Sequence, residues 1–374
     1  MRNAYAMLGT YPPTKCGVAS FSAALLAHLR RPGDLVEVVR VVDEPSPCRT
    51  PEVVHDLVRK SASSAAAATA VLNGYDAVLV QHEYGIYSGP DGADIVGLLA
   101  ALRVPSIVVL HTVLARPTDR QRRILTEVID AAGAVVTMTQ TARERLLQVY
   151  ATDPAKIFVI PHGSFDRRTA LSPRQDNRGP AALTWGLLGP GKGLEHAIDA
   201  IALLRDRELR VTYTIAGQTH PRVQARDGEA YRRCLAERAL AHGVGDLVRF
   251  DSRFLPTDAL TRFISATDVV VLPYDSAEQV TSGVLIEAVA AGKPVVSTSF
   301  PHAVELLGDG AGFLVRRRDP AGIADAVMRV LTEPGLLTRM SRRAAEIAPG
   351  LLWPAVADSY RKLMARIISQ GVRV

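Results

Sequence analysis

Short runs of uninterrupted apolar residues, each followed by a longer stretch of helical periodicity, recur along almost the whole chain. The first half holds strand candidates at Ala4–Gly9, Val36–Val42, Ala77–His82, Ser106–His111, Ala134–Thr139 and Ile157–Pro161. Helix candidates lie between them at Val18–Arg30, Ile95–Leu102, Arg120–Ala131 and Thr141–Val149, and an Ala/Ser-rich run at Ser61–Ala70 sits inside a further helix. Strands that are apolar throughout, rather than alternating, belong in a parallel sheet covered on both faces. Strand–helix alternation at this spacing is the pattern of a doubly wound α/β domain.

The pattern breaks at Ser172–Pro180, which holds two prolines, a glycine and polar residues with nothing to bury. It then restarts. Strands are expected at Ala182–Trp185, Val211–Ala216, Val248–Asp251, Val269–Pro273, Pro294–Thr298 and Gly312–Val315. Helices are expected at Leu194–Leu204, Glu229–Ala241, Thr257–Ser265, Gly283–Ala290, Ala303–Leu307 and Gly322–Leu331. Near the end, Trp353, Val356, Tyr360 and Leu363 share one face of a helix. A length of 374 residues suits two domains. We therefore expect a first α/β domain over 1–172, a linker at 173–180, a second over 181–350, and a final helix over 351–374 packing back towards the first domain. Ligands of open parallel sheets bind beyond the carboxyl ends of the strands. Two such sheets are expected to face an interdomain cleft.

Bulk properties exclude several classes. The net charge of +6 comes almost wholly from arginine, but no dense basic run suits a nucleic-acid tail. Arg316–Arg317–Arg318 reads as a solvated face. Aromatics are 5%, too few for base-stacking platforms, so no nucleic-acid partner is expected. The three cysteines, Cys16, Cys48 and Cys234, are far apart and suit neither a structural zinc nor a disulfide framework. A reducing compartment follows. With no secretory leader and no run of about 18 uncharged apolar residues, the expectation is a cytoplasmic protein. Peripheral contact with the cytoplasmic membrane face stays open, as does the oligomeric state.

Three glycine-bearing turns carry the chemistry. Gly186-Leu-Leu-Gly-Pro-Gly-Lys192-Gly193 follows a strand and opens a helix. Gly186, Gly191 and Lys192 have the spacing of a nucleoside-triphosphate loop, but Gly193 stands where Ser or Thr would hold magnesium. This argues against an ATPase or GTPase and leaves a diphosphate site, or a helix cap with a solvated lysine. Gly17 precedes the first helix and would let another molecule approach the backbone, or simply make a tight connection. Gln279-Val-Thr-Ser282-Gly283-Val-Leu-Ile-Glu287 follows a strand that ends near Pro273–Tyr274. Ser282 or Thr281 would cap the helix and leave N–H groups for an anion. Glu287, the one acid in an apolar helix, is costly to bury alone, so it faces water or a polar ligand such as a ribose diol. His82, His111 and His162 all stand at strand ends and so at one sheet edge. They suit hydrogen bonding to substrate better than zinc, since no short His-x-x-x-His pair occurs. No Gly-x-Ser-x-Gly elbow of a serine hydrolase appears.

Together these segments resemble the retaining glycosyltransferases of the GT-B fold, in the family-four group of sucrose-synthase-like and mannosyltransferase-like enzymes. The resemblance spans nearly the whole chain. It rests on Cys16-Gly17-Val-Ala-Ser-Phe, Val159-Ile-Pro-His-Gly163, Gly186 through Gly193, Val270-Val-Leu-Pro-Tyr274 and Glu287 through Val296. It implies that Gly17 approaches the donor phosphates, that Gly191 and Lys192 bind the diphosphate, and that Glu287 holds the ribose. Ser282, Gly283, Val284 and Leu285 would offer the helix start. His111 would contact the transferred sugar, and Arg253, Phe254 and Leu255 would lie near the base. Gln279 replaces the usual glutamate and Leu187 the usual arginine.

The function so implied is retaining transfer of a hexose, mannose or glucose, from a GDP-, UDP- or ADP-sugar to a saccharide, lipid or small-molecule hydroxyl. No obligatory cofactor or metal is expected. The catalytic group would comprise His111, Lys192, Gln279 and Glu287. A related GT-B epimerase or phosphorylase, or a non-catalytic sugar-nucleotide binder, is the alternative.

Overall fold

The computed structural model describes residues 3–45, 50–168 and 179–371, arranged as two compact units. The first comprises residues 1–163 and 353–374, the second residues 164–352. Each contains one wholly parallel sheet.

The first unit runs β1 (Ala4–Gly9), α1 (Gly17–Leu29), β2 (Leu35–Val42), β3 (Val53–Val58), α2 (Ala62–Leu72), β4 (Ala77–His82), α3 (Asp94–Ala100), β5 (Ser106–Leu110), α4 (Asp119–Ala131), β6 (Ala134–Thr137), α5 (Gln140–Tyr150) and β7 (Ile157–Val159). Its strand order is β3-β2-β1-β4-β5-β6-β7. β4 and β5 are buried at every position, which is why residues 77–80 and 107–110 are uninterrupted apolar runs. β3 escaped the sequence reading because His55 and Asp56 interrupt it. Asp56 is tolerated there because Arg40 of β2 pairs with it at 2.9 Å, with the two side chains 1% and 4% exposed. A buried charge persists where such a partner and geometry are supplied.

The second unit runs β8 (Ala181–Trp185), α6 (Leu194–Asp206), β9 (Thr212–Ala216), α7 (Pro221–Asp227), α8 (Ala230–Ala241), β10 (Val248–Asp251), α9 (Thr257–Ser265), β11 (Val269–Leu272), α10 (Gly283–Ala290), β12 (Val295–Thr298), α11 (Pro301–Leu307), β13 (Gly312–Val315), α12 (Pro320–Thr332) and α13 (Leu336–Leu351). Its order is β10-β9-β8-β11-β12-β13. α13 was not anticipated. It buries Met340, Ala344, Ala348 and Leu351, a stripe of mostly small residues that carries a weak hydrophobic signal.

The chain then returns to the first unit as α14 (Trp353–Ser369). Trp353, Val356, Tyr360, Leu363, Met364 and Ile367 join the core that holds Phe21 and Leu25 of α1. Gly163 makes room for this helix: a Cβ there would stand 2.1 Å from the Trp353 ring.

The units change at Gly163/Ser164 and at Leu352/Trp353, not at 172 and 350. Ser164 donates its N–H to the Leu351 carbonyl at 2.7 Å, and the buried Arg167 reaches Thr257, Thr261 and Glu287 of the second unit. Residues 173–178 of the expected linker lie outside the described residues. Among the described residues no helix is long and apolar enough to cross a membrane.

Candidate functional site

In the second unit the turn between β8 and α6 and the start of α10 come together at the carboxyl edge of the sheet. Gly193 has φ +64°, and a Cβ on it would stand 1.9 Å from the Pro273 carbonyl oxygen. Asp275 N–H donates to the Gly191 carbonyl at 3.0 Å, so the segment after β11 is stitched to the lysine turn. Gly186, with φ +115°, places its ideal Cβ position 3.4 Å from Val284 Cγ2 at the start of α10. Only glycine adopts these backbone angles freely at such close approach. Lys192 Nζ lies 4.3 Å from the centroid of the Tyr274 ring, and Tyr274 stacks on Phe300 at 5.2 Å. The ring face attracts the ammonium without neutralising it.

Ser282 caps α10, as its Oγ accepts the Leu285 N–H at 3.2 Å. The Ser282 N–H donates to His302 Nδ1 at 2.8 Å. The expectation of four residues offering the helix start therefore narrows. Ser282 and Leu285 have committed their N–H groups, while Gly283 and Val284 have no hydrogen-bond partner for theirs among the described residues. Two adjacent free donors at a helix N-terminus, beside a lysine, form an anion site.

One helical turn on, Glu287 accepts from Trp185 Nε1 at 3.0 Å and from Arg167 Nη2 at 3.5 Å. Both carboxylate oxygens thus already hold protein donors, partners that the choice between water and a polar ligand did not include. Each oxygen retains a second lone pair, and 23% of the side chain stays accessible. Dense surroundings push the carboxyl above its ordinary range, and Arg167 and the Trp185 indole pull against that shift. Arg167, which sequence reading missed, is 4% exposed and also donates to the Thr257 carbonyl at 3.1 Å and Thr261 Oγ1 at 2.7 Å. It lies in an irregular segment with no periodicity to mark it.

Other site candidates of this unit are already engaged. Gln279 Nε2 donates to the Thr281 carbonyl at 3.1 Å, so its amide turns back onto its own loop. Arg253 is paired with Asp251, while Phe254 is 42% exposed and Leu255 packs on the core. Arg318 pairs with Asp275 at 2.6 Å from an exposed position.

The first unit repeats the helix-start arrangement. Cys16 caps α1, its Sγ accepting the Ala19 N–H at 3.4 Å. Gly17 and Val18 have no partner for their N–H groups among the described residues, and a Cβ on Gly17 would meet nothing within 4 Å. No internal contact therefore demands glycine at position 17. His82, His111 and His162 gather at the carboxyl edge of the sheet. Phe21 lies edge-on to His111 at 4.9 Å and to His162 at 5.0 Å. His111 Nε2 bonds Gln81 Oε1 at 2.8 Å. Burial lowers the three imidazoles, to about 4 for His82, about 3 for His111 and about 4 for His162, so all are neutral at pH 7. Among the described residues no group of three His, Cys, Asp or Glu is arranged to hold a metal ion. Tyr87, in the loop after β4, is buried and donates its hydroxyl to the Gln81 carbonyl at 2.9 Å.

A cavity of about 530 Å³ opens between α2 and α3 of the first unit, lined largely by Ala65, Ala66, Leu98, Ala101 and other small or aliphatic side chains. It holds none of the strand-end histidines or free helix-start donors. The candidate site therefore lies at those groups and not in this cavity.

Two parallel α/β units with ligand-competent carboxyl edges define the class of fold, GT-B, and two glycosyltransferase families match the sequence one after the other. Residues 16–164 match the family described as Glycosyltransferase Family 4, and residues 172–347 the family Glycosyl transferases group 1. The D-inositol 3-phosphate glycosyltransferase of Frankia alni is 31% identical over 254 residues, covering 64% of this chain and 61% of that protein. The glycogen synthase of Mycobacterium tuberculosis is 29% identical over 231 residues, covering 61% and 53%. The chain thus spans about half to two thirds of the length of these curated relatives. Among solved structures, HepE of Anabaena in complex with UDP and glucose superposes with a TM-score of 0.75 at 17% identity, covering 98% of this chain and 100% of that one. The sucrose-phosphate synthase of Thermosynechococcus elongatus gives 0.77 at 18% identity, covering 99% and 100%.

Proposed function

We propose that the chain transfers a hexose, glucose or mannose, from a nucleoside diphosphate sugar to an acceptor hydroxyl with retention of configuration. The observation that carries this reading is the grouping of Lys192, the free N–H donors of Gly283 and Val284, and Glu287 at one sheet edge. Breaking the sugar–phosphate bond builds negative charge on the departing diphosphate. Lys192 and the α10 start stabilise that charge, and fixed donors act without reorganising during the reaction. Glu287, oriented by Arg167 and Trp185, accepts the ribose hydroxyls through its remaining lone pairs. His111 and Gly17 take the sugar and phosphate roles that the resemblance implies. UDP and UDP-glucose in the HepE complexes, and the transferase and synthase names of the curated relatives, support a nucleotide-sugar donor. The deciding experiment follows free nucleotide from UDP-, GDP- and ADP-hexoses with and without candidate acceptors, with mass spectrometry of products. Nucleotide release that depends on acceptor, with a glycosylated product of retained anomeric configuration, supports transfer. A sugar phosphate formed only with inorganic phosphate would replace it with a phosphorylase.

One observation favours a second reading. The Gln279 amide is turned back on the Thr281 carbonyl. A sugar-nucleotide binder without turnover accounts for that. It predicts tight donor binding and no product with any acceptor.

A further inference from the structure

His302 was not singled out by its sequence setting, yet it reaches the centre of the donor site. β12 feeds α11 through Phe300 and Pro301, which places His302 in the first turn of that helix at 3% exposure. Its Nδ1 accepts the Ser282 N–H at 2.8 Å. A ring nitrogen that accepts carries no proton, so the neutral ring is the Nε2–H tautomer. Ser282 is itself 3% exposed, with an extended backbone at φ −137° and ψ 108°. Its N–H would be buried and unpaired without the imidazole, and the peptide would have to turn to find another partner.

The two free donors therefore sit between two fixed points. Upstream, His302 holds the Ser282 N–H. Downstream, Ser282 Oγ holds the Leu285 N–H at 3.2 Å. Gly283, which begins the free pair, has no side chain to restrict its own backbone. The same turn of chain also supports the cation: Phe300, two residues before His302, stacks on Tyr274, over which Lys192 lies.

We propose that His302 is a positioning residue for phosphate recognition. By accepting the Ser282 N–H at Nδ1, it aims the Gly283 and Val284 N–H groups at the diphosphate of the donor. The proposal rests on the donor-site reading above. It concerns how the site is held and not which group reacts.

The test compares His302→Leu, His302→Asn and His302→Gln with wild type. Binding of UDP, GDP and ADP is measured by calorimetry, the tightest of the three serves as the probe, and thermal midpoints check folding. Asparagine places an amide oxygen close to where Nδ1 lies, whereas glutamine carries the same group further out. We expect His302→Leu to weaken diphosphate binding about tenfold or more, His302→Asn to stay within about threefold of wild type, and His302→Gln to follow the leucine variant. The donor KM should rise more than kcat falls. If the leucine variant does not fold, the asparagine–glutamine pair carries the comparison alone. Equal affinity in all folded variants, or an asparagine variant no better than glutamine, overturns the positioning role. Wild type that binds none of the three diphosphates overturns the donor-site reading and this proposal with it. Wild type that binds, with variants that bind equally well, overturns only the proposal.

Discussion

Helix α1 of the first unit and helix α10 of the second begin alike and are held differently. Each opens on a glycine, and each leaves two consecutive N–H groups without partners among the described residues. The α1 start is capped by the Cys16 thiol, a weak acceptor, at 3.4 Å. The α10 start is capped by a hydroxyl, braced by His302 and flanked by Lys192 and Glu287. A helix terminus alone supplies partial charge worth a few tenths to about 1 kcal/mol at an exposed site. Binding a diphosphate through bond cleavage demands more, and only α10 has the added cation and the fixed geometry. The proposed donor chemistry therefore falls to the second unit, while α1 supplies an open backbone with no internal contact at Gly17.

The largest expected effect tests that asymmetry directly. Replacing Lys192 with alanine should lower kcat by roughly 10²–10³-fold, the usual cost of removing one transition-state charge stabiliser. Its melting temperature should stay near wild type, because the ammonium lies over a ring and not in an ion pair. Unchanged turnover would erase the distinction between the two helix starts.

Acid should separate the units next. The His82, His111 and His162 pKa values of about 4, 3 and 4 lie below the ordinary value, so the unfolded chain binds more protons between about pH 4 and 6.5. Stability of the first unit should then fall as pH drops through that window, with His82 alone contributing on the order of 3 kcal/mol. Glu287 works in the opposite sense, since a raised carboxyl takes up protons more readily folded than unfolded. Thermal melts at stepped pH, with His82→Leu as the control, should show the leucine variant with the flatter acid limb. Among the described residues neither His82 ring nitrogen has a hydrogen-bond partner, so leucine removes none of the described bonds.

Arg167→Met should lower the unfolding free energy by roughly 1–3 kcal/mol, because it strips donors from Thr257, Thr261 and Glu287. The Glu287 carboxyl should rise further without the cation. Donor binding that needs the carboxylate is lost as pH falls through that pKa, so the acid limb of binding should move to higher pH. An unmoved limb would detach Arg167 from Glu287. The smallest effects lie at the caps. Ser282→Ala should cost about 1 kcal/mol. Cys16→Ala should cost only a few tenths, as its thiol holds the Ala19 N–H loosely. Equal costs in denaturant titrations would make the two starts equivalent.

Sheet strands buried on both faces were legible from residue type alone, because residues 77–80 of β4, 107–110 of β5 and all of β11 are apolar. β3 was not, because Asp56 depends on Arg40, a partner on the neighbouring strand that local patterning does not reveal. The tight turn between β8 and α6 was legible through its glycines, whose spacing reports backbone angles and close approach. Arg167 and His302 were not, since each matters through a contact far along the chain: Arg167 to Glu287, and His302 to the Ser282 N–H. The ligand role of Leu285 comes from the family resemblance alone, and the sequence does not show that the Ser282 oxygen holds its N–H.

The return of α14 has a consequence for biosynthesis. Trp353 fills the space left by Gly163 and leads the face that closes over Phe21 and Leu25. During translation the second unit has all its residues once Leu352 has left the ribosome, but the earlier-made first unit still lacks one wall of its core. The amino-terminal half should thus stay sensitive to protease on the nascent chain until the last helix emerges, reversing the simple order in which domains mature from the N-terminus.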